Sequence, residues 1–134
     1  MQEITNNLEI YGIRNYHTLM DNNEKRFRLI SDKDNSSYIR TEGSSDGGFQ
    51  NSHYHKFFKE MYIVQKGQID IYEYKDGVLK INKLQEGDYF LINANTSHNV
   101  YMYPNSITHT VKFGNSQDND WYPSHELDEL IKNS

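Results

Sequence analysis

The sequence predicts an all-β fold, a barrel or a two-sheet sandwich, that ends in one short helix. Short runs rich in Tyr, Ile, Val and Phe alternate with polar residues, and Gly, Asn or Asp separates them every several positions. There are too many such runs for one flat open sheet in a chain of 134 residues. This length also suits one hydrophobic core, so we expect residues 1–134 to form a single domain.

The clearest element is a hairpin in the segment QIDIYEYKDGVLKINKL. Ile69 and Ile71 share one face of its first strand, whereas two tyrosines share the other. Asp76 and Gly77 can adopt the positive φ angles of the tight turn between the two strands. Further strands are predicted in LEIYGI, KRFRLI, SSYIR, GFQNSHYH, EMYIVQ, DYFLIN, HNVYMY and ITHTVKF.

A short helix is predicted near the end of the sequence, in HELDELIKN. Leu127, Leu130 and Ile131 recur there at helical spacing. Ser124 precedes them at the position of an N-cap residue. The helix is expected to follow directly on the last β segment.

Composition excludes several functional classes. The net charge is −5 and the basic residues are scattered, which argues against a nucleic-acid partner. The sequence contains no cysteine, so a metal site would have to use histidine and carboxylate ligands. The first residues lack the pattern of a signal peptide, and no apolar run approaches the roughly 18 residues of a membrane span. We therefore expect a cytoplasmic protein without a membrane partner.

Four residues have the types and spacing of a metal-ligand set. His53 and His55 are two positions apart on a predicted strand, so both imidazoles project to one face. Glu60 follows after four intervening residues and a bend into the next strand, and His98 lies on a later strand that could return beside them. Three imidazoles and one carboxylate suit one divalent ion, Fe, Mn, Zn or Ni, and leave positions for water or substrate.

These residues also carry a resemblance to the cupins. From Gly47 the chain reads GGFQNSHYHKFFKEMYIVQKG, which is similar to the first cupin motif, G(x)5HxH(x)4E(x)6G. The matching positions are Gly47, His53, His55, Glu60 and Gly67. The two cupin motifs together would cover residues 47–102.

The second motif, G(x)5PxG(x)2H(x)3N, is matched less completely. The chain reads GDYFLINANTSHNVYM, in which Gly87 and His98 match. Asn93, Asn95 and Met102 replace the proline, the second glycine and the asparagine of the motif. These departures bear on the geometry of the turn and leave the ligand in place.

The resemblance implies a cupin barrel, a jelly roll also called a double-stranded β-helix, with a metal ion on the four ligands. The alternative is a cupin that uses the same residues as polar pocket lining or as acid and base. Cupins commonly pair through the edges of their barrels, so the resemblance also implies a homodimer.

Two further residues are candidate catalytic groups. Alternation places Tyr62 on the same face as Glu60, and it places His109 on the same face as the apolar residues of ITHTVKF. An imidazole near neutrality can act as a general base, and a phenol can face the substrate. Alternatively, His109 is a hydrogen-bonded core residue and Tyr62 caps the core.

Three functions remain open for a small-molecule partner. The first is a metal-dependent enzyme acting on a small polar metabolite, favoured as a sugar or nucleotide-sugar isomerase or epimerase. This choice rests on a resemblance to cupins of surface-polysaccharide and nucleotide-sugar pathways, carried by HYHK, Glu60 and YIVQKG. The second is an Fe(II)-dependent dioxygenase, which the same ligands would suit. The third is a non-catalytic module that binds a sugar or another metabolite.

Overall fold

The computed structural model describes residues 7–116 and 119–134. Within these ranges the chain forms twelve β-strands, one α-helix and one 3₁₀ turn at Glu9–Tyr11. The strands are β1 (Ile13–Leu19), β2 (Lys25–Ser31), β3 (Ser37–Glu42), β4 (Gly48–Phe49), β5 (His53–Tyr54), β6 (Lys59–Lys66), β7 (Gln68–Lys75), β8 (Val78–Gln85), β9 (Tyr89–Ile92), β10 (Ser97–Met102), β11 (Ile107–Phe113) and β12 (Tyr122–Pro123). The helix α1 spans His125–Lys132.

The strands form two antiparallel sheets. The first has the order β1-β2-β3-β11-β6-β9. The second has the order β12-β5-β10-β7-β8, with β4 paired to β10. Neighbours such as β3 and β11 are far apart in the chain, which is the crossover connectivity of a jelly roll. The predicted all-β architecture is confirmed.

The interior between the sheets has an apolar half and a polar half. The apolar half is contributed by β6, β7, β8, β9 and β10. Its core residues are Tyr62, Val64, Ile69, Ile71, Leu84, Ile92, Val100 and Met102. The polar half lies along β1, β2, β3 and β11, where inward positions such as Thr41, Thr108 and Thr110 are buried hydroxyls. A cavity can therefore occupy the polar half while the apolar half stabilises the fold.

The predicted hairpin and helix are both present. Strands β7 and β8 pair from Gln68 with Gln85 to Lys75 with Val78. Asp76 and Gly77 have φ angles of +53° and +78°, as a tight hairpin turn requires.

At the other end of the chain, the side chain of Ser124 accepts a hydrogen bond from the N–H of Leu127 (3.4 Å), as predicted for an N-cap. Leu127 is fully buried and anchors α1 to the barrel. Among the residues described, no helix combines the length and the apolar character of a membrane span.

Two predicted strands were wrong in part. The segment LEIYGI contains the 3₁₀ turn, and the first strand instead covers the polar sequence IRNYHTL. That strand is a largely exposed sheet edge, so apolar alternation does not mark it. The segment GFQNSHYH is divided into β4 and β5 by an irregular stretch at 50–52, which interrupts the alternation of inward and outward side chains.

The inward face of β11 is opposite to the predicted one. Thr108 and Thr110 are buried against the interior, whereas His109 lies on the other face of the strand. There its Nδ1 is 2.6 Å from the hydroxyl of Tyr38, and its Nε2 is 2.5 Å from Oε1 of Gln65. The prediction failed because this half of the interior is polar, so the apolar residues of β11 do not mark its inner face.

Candidate metal centre

The four predicted ligands come together from the two facing sheets. His53 lies on β5, His55 follows directly after that strand, and His98 is the register partner of His53 on the neighbouring β10. Glu60 lies on β6 of the opposite sheet. One ligand atom from each of the four lies within 4.8 Å of the others, so this group could hold a metal ion.

The three imidazoles surround one carboxylate oxygen. Nε2 of His98 is 3.0 Å from Oε1 of Glu60, and Nε2 of His53 is 3.6 Å from the same atom. Nε2 of His55 also contacts it. Three of the four side chains are almost fully buried, whereas that of His53 is 12% exposed and marks the open side of the group.

Backbone carbonyls fix the orientation of all three rings. The Nδ1 atoms donate to carbonyl oxygens in the pairs His53–Asn51 (2.8 Å), His98–Thr96 (2.9 Å) and His55–Asp120. A carbonyl oxygen can only accept, so each Nδ1 must carry the proton. In the neutral ring, each Nε2 then presents its lone pair to the common centre, which is the arrangement that supports metal-binding histidines.

This donor set fits a divalent cation. In the described part of the chain, the buried Nε2 of His55 has no hydrogen-bond partner, although it contacts a carboxylate oxygen of Glu60. A neutral Nε2 and a carboxylate are both acceptors, so the arrangement becomes favourable when a cation lies among them or when an imidazole takes up a second proton. Nitrogen and oxygen donors without thiolate are suitable for Fe, Mn, Zn or Ni.

The charges of the group influence each other strongly. Burial acts to raise the pKa of Glu60, but the positive charge of His98 and hydrogen bonds from the imidazoles hold that pKa well below its ordinary value. Burial lowers the pKa of His53. Burial also acts to lower the pKa of His98, but attraction to Glu60 reverses the shift and raises it. The carboxylate thus stays ionised and ready to bind a cation.

A support that the sequence did not indicate is Asp120. Its carboxylate accepts hydrogen bonds from three consecutive backbone N–H groups at 56–58, at 2.7 to 3.0 Å. These residues connect His55 to Glu60, so Asp120 fixes the spacing between two predicted ligands. Its own backbone carbonyl accepts from His55. The segment reaches the site because β12 pairs with β5.

Trp121 was also missed. Its ring stacks on that of His53, with centroids 5.3 Å apart and planes inclined by 20°. It thereby holds the most exposed ligand in place and forms part of the cavity wall. No motif spacing pointed to it, and the available signal was that it is the single tryptophan of the sequence.

A cavity of about 280 Å³ opens beside the group. His53, His55 and Glu60 form one side of it. Tyr62 also lines the cavity, and its hydroxyl donates to Oε2 of Glu60 at 3.4 Å. Burial raises the pKa of Tyr62 well above its ordinary value, so the phenol stays protonated. Tyr62 therefore lies where the alternation predicted, whereas His109 is outside the cavity.

Two positions at which the cupin motifs have glycine both have a left-handed backbone conformation in this structure. Gly67 has a φ of +82°, and a Cβ atom there would lie 2.9 Å from the Cβ of Ser106. Only glycine fits that position without strain. Asn95, which replaces a motif glycine, has a φ of +61°. Asparagine tolerates this left-handed conformation, so the turn is retained, and its N–H donates to the carbonyl of His55 at 2.6 Å.

Comparison with known proteins shows similarity at the level of structure. Neither a protein-family model nor a curated protein sequence matches the chain. KdgF from Halomonas sp. is similar over 77% of this chain and 88% of its own, with a TM-score of 0.61 and 16% identity. The Drosophila melanogaster CENP-C cupin domain is similar over 74% of this chain and 75% of its own, with a TM-score of 0.59 and 13% identity.

Oxalate decarboxylase from Bacillus subtilis is similar over 89% of this chain, with a TM-score of 0.69 and 13% identity. The chain spans about a third of that protein, 34% of its length. Mn(II) centres have been characterised in that decarboxylase. The similarities extend over most of the chain and agree with its two-sheet topology, and at these identities they define the fold alone. The chain has the fold of the cupins.

Proposed function

We propose that this protein is a metal-dependent enzyme that acts on a small polar metabolite, with isomerisation of a sugar as the favoured reaction. The observation that carries the proposal is the group of three oriented imidazoles and Glu60, which opens onto a polar cavity. A divalent ion held there would act as a Lewis acid on a substrate carbonyl or hydroxyl. Its ligands would be His53, His55, Glu60 and His98.

The cavity wall supports a substrate rich in hydroxyl groups. Gln50, Thr110 and Asn119 line it with amide and hydroxyl groups that can donate and accept hydrogen bonds. Trp121 adds an aromatic face on which the apolar side of a sugar ring can pack. Tyr62 holds a proton at its phenolic oxygen beside Glu60, where it can donate to a substrate oxygen.

The size of the cavity favours a free metabolite over a nucleotide-sugar. Pockets for drug-sized ligands have volumes of about 300–1,000 Å³, and this cavity has about 280 Å³. A monosaccharide is a better match to it than a molecule with an added nucleotide. The predicted homodimer and cytoplasmic location stay predictions.

The test combines metal analysis with proton exchange. The protein is purified without a His tag under anaerobic conditions, and its metals are quantified by inductively coupled plasma mass spectrometry. We expect one ion per chain in the wild type, its loss in His98→Ala, and its retention in His109→Ala, the matched control outside the cavity. If neither wild type nor variant holds metal after reconstitution, the proposal is refuted.

Activity is then measured by NMR on a panel of aldoses and ketoses in D₂O. Isomerisation by proton transfer should incorporate deuterium beside the carbonyl only with metal-loaded protein, and Tyr62→Phe should slow the exchange. Iron-specific oxygen consumption would instead identify a dioxygenase. Sugar binding without turnover would identify a binding module.

A further inference from the structure

The cavity wall across from the metal-ligand group is cationic. Arg26 and Arg28 occupy alternate positions of β2, and Lys112 lies on β11, two strands away across β3. All three line the cavity together with His53 and Glu60. The sequence shows only scattered basic residues, and the register of the first sheet brings these three to one wall.

One of the three cations is neutralised within the protein. Arg26 forms an ion pair with Glu24 at 3.0 Å, and the two side chains are 17% and 2% exposed. The Nε–H of Arg26 is nevertheless buried without a hydrogen-bond partner among residues 7–116 and 119–134. A buried donor of this kind is costly unless a ligand or water accepts from it.

Arg28 contacts neutral groups. Its guanidinium donates to Oγ1 of Thr18 at 2.9 Å, lies 3.9 Å from the sulfur of Met20 and stacks over the ring of Tyr16, 5.1 Å from the centroid. No carboxylate of the described residues is within ion-pair distance of it. Several of its five N–H donors are therefore free to face the cavity.

Lys112, like Arg28, lacks an ion-pair partner among the described residues. Its ammonium lies 5.4 Å from the centroid of the Phe58 ring, and within the described ranges it has no carboxylate at ion-pair distance. Burial lowers the pKa of Lys112; the charges of Glu60 and Asp120 act to raise that pKa, and the charge of Arg28 acts to lower it. Burial also lowers the pKa of Arg28, and the charge of Arg26 adds to that shift. Like charges held together in a cleft are typical of sites that bind the opposite charge.

We propose that the substrate carries an anionic group, a carboxylate or a phosphate, which Arg28 and Lys112 bind. This inference rests on the proposed function, since it names the substrate class of the same cavity. The planar guanidinium matches a carboxylate or phosphate with two parallel hydrogen bonds, and the ammonium adds a point charge. The ligand is thus a sugar acid or a sugar phosphate, with its hydroxyl or carbonyl end toward the metal-ligand group.

The experiment measures dissociation constants by isothermal titration calorimetry for three probes, D-glucuronate, D-glucose 6-phosphate and neutral D-glucose. Wild type, Arg28→Gln and Lys112→Gln are compared, each both metal-free and metal-loaded. The control is Arg40→Gln, which removes the same charge from the face of β3 that points away from the cavity, where Arg40 pairs with Glu42. Thermal unfolding verifies that each variant folds.

We expect at least one anionic probe to bind wild type ten times more tightly than D-glucose. Arg28→Gln or Lys112→Gln should lose at least tenfold in affinity for that probe, while Arg40→Gln should bind it as wild type does. The tighter of the two anions distinguishes a carboxylate from a phosphate ligand. The inference is overturned if neither anion binds better than D-glucose, or if both cavity variants bind the anions like wild type.

The two proposals fail separately. If the wild type holds no metal after reconstitution but still prefers an anion, the metal-dependent function is refuted and the cationic subsite is retained. Metal binding and sugar exchange without any preference for anions would retain the function and refute the subsite.

Discussion

Replacing Asp120 by asparagine should weaken metal binding without removing a metal ligand. In the wild type, Oδ1 accepts from the N–H of Lys56, and Oδ2 accepts from those of Phe57 and Phe58. An asparagine has one acceptor oxygen, so it can keep at most two of the three bonds, and its amide group faces the remaining N–H. A hydrogen bond to a charged group contributes about 1.5–3 kcal/mol. We expect a loss of about 2 kcal/mol in the free energy of unfolding.

The effect on metal affinity should have a similar size. The segment at 56–58 sets the spacing between His55 and Glu60, and a looser segment must be ordered again when the ion binds. A cost of about 2 kcal/mol corresponds to roughly 30-fold in affinity. Loss of a residue that supports metal ligands typically weakens binding by about 10–100-fold. The loss expected for Asp120→Asn lies within that range.

The assay is competition for Zn²⁺ with a chromophoric chelator, together with urea unfolding of metal-free protein. Asp34→Asn is the matched control, because Asp34 also accepts a backbone N–H, that of Ser36 at 2.9 Å, in a turn outside the metal-ligand group. It should leave zinc affinity unchanged. If Asp120→Asn binds zinc as tightly as the wild type and is equally stable, Asp120 does not order the segment between His55 and Glu60.

Three further outcomes are expected. Gly67→Ala should destabilise the protein by about 2–4 kcal/mol in urea unfolding, because the residue has a positive φ and its new Cβ would collide with Ser106. Gly77→Ala should cost only about 1 kcal/mol, because Gly77 also has a positive φ but a Cβ there meets open space. Asn95→Gly should stay within about 0.5 kcal/mol of wild type, whereas Asn95→Val should lose about 1–2 kcal/mol through its left-handed φ. Metal affinity should fall as pH falls, because protons compete for the imidazoles. Because the pKa of His98 is raised, metal binding at a pH below that pKa should release a proton, which calorimetry in buffers of different ionisation enthalpy detects.

Each expectation has a contrary result. Equal losses for the two glycine variants would remove the steric argument for the first motif. A valine at position 95 with wild-type stability would show that the turn has no need of a left-handed residue. Binding heats that do not depend on the buffer would contradict proton release from His98.

Sequence reasoning succeeded where the controlling interactions are local or follow a fixed spacing. The hairpin depends on Asp76 and Gly77, and the helix on Ser124, each adjacent to the element it defines. The convergence of the candidate ligands could be predicted because His53, His55 and Glu60 occupy a fixed pattern of types and intervals. Their meeting with His98 then followed from strand pairing.

The polar half of the interior could not be predicted in the same way. Inner faces are usually recognised by their apolar residues, but β11 turns Thr108 and Thr110 inward and His109 outward. On β2, the inward residues include two arginines, which a pattern of hydrophobicity assigns to the surface. A polar cavity therefore reverses the hydrophobic pattern by which an inner face is usually recognised.

The role of Asp120 could not be predicted from the sequence for another reason. It lies 65 positions after His55, and its partners are backbone N–H groups whose identity the sequence does not encode. Nothing in the spacing of one acidic residue distinguishes a buried acceptor from a solvated surface charge. Only the pairing of β12 with β5 reveals the contact.

The pairing of β12 with β5 also has a consequence for the order in which the protein assembles. All four ligands belong to the segment from His53 to His98, whereas the residues that brace them, Asp120 and Trp121, follow the last long strand. During synthesis the ligands emerge well before their braces. A newly made barrel can therefore bring its histidines together early, but its affinity for a metal ion is complete only when β12 pairs with β5.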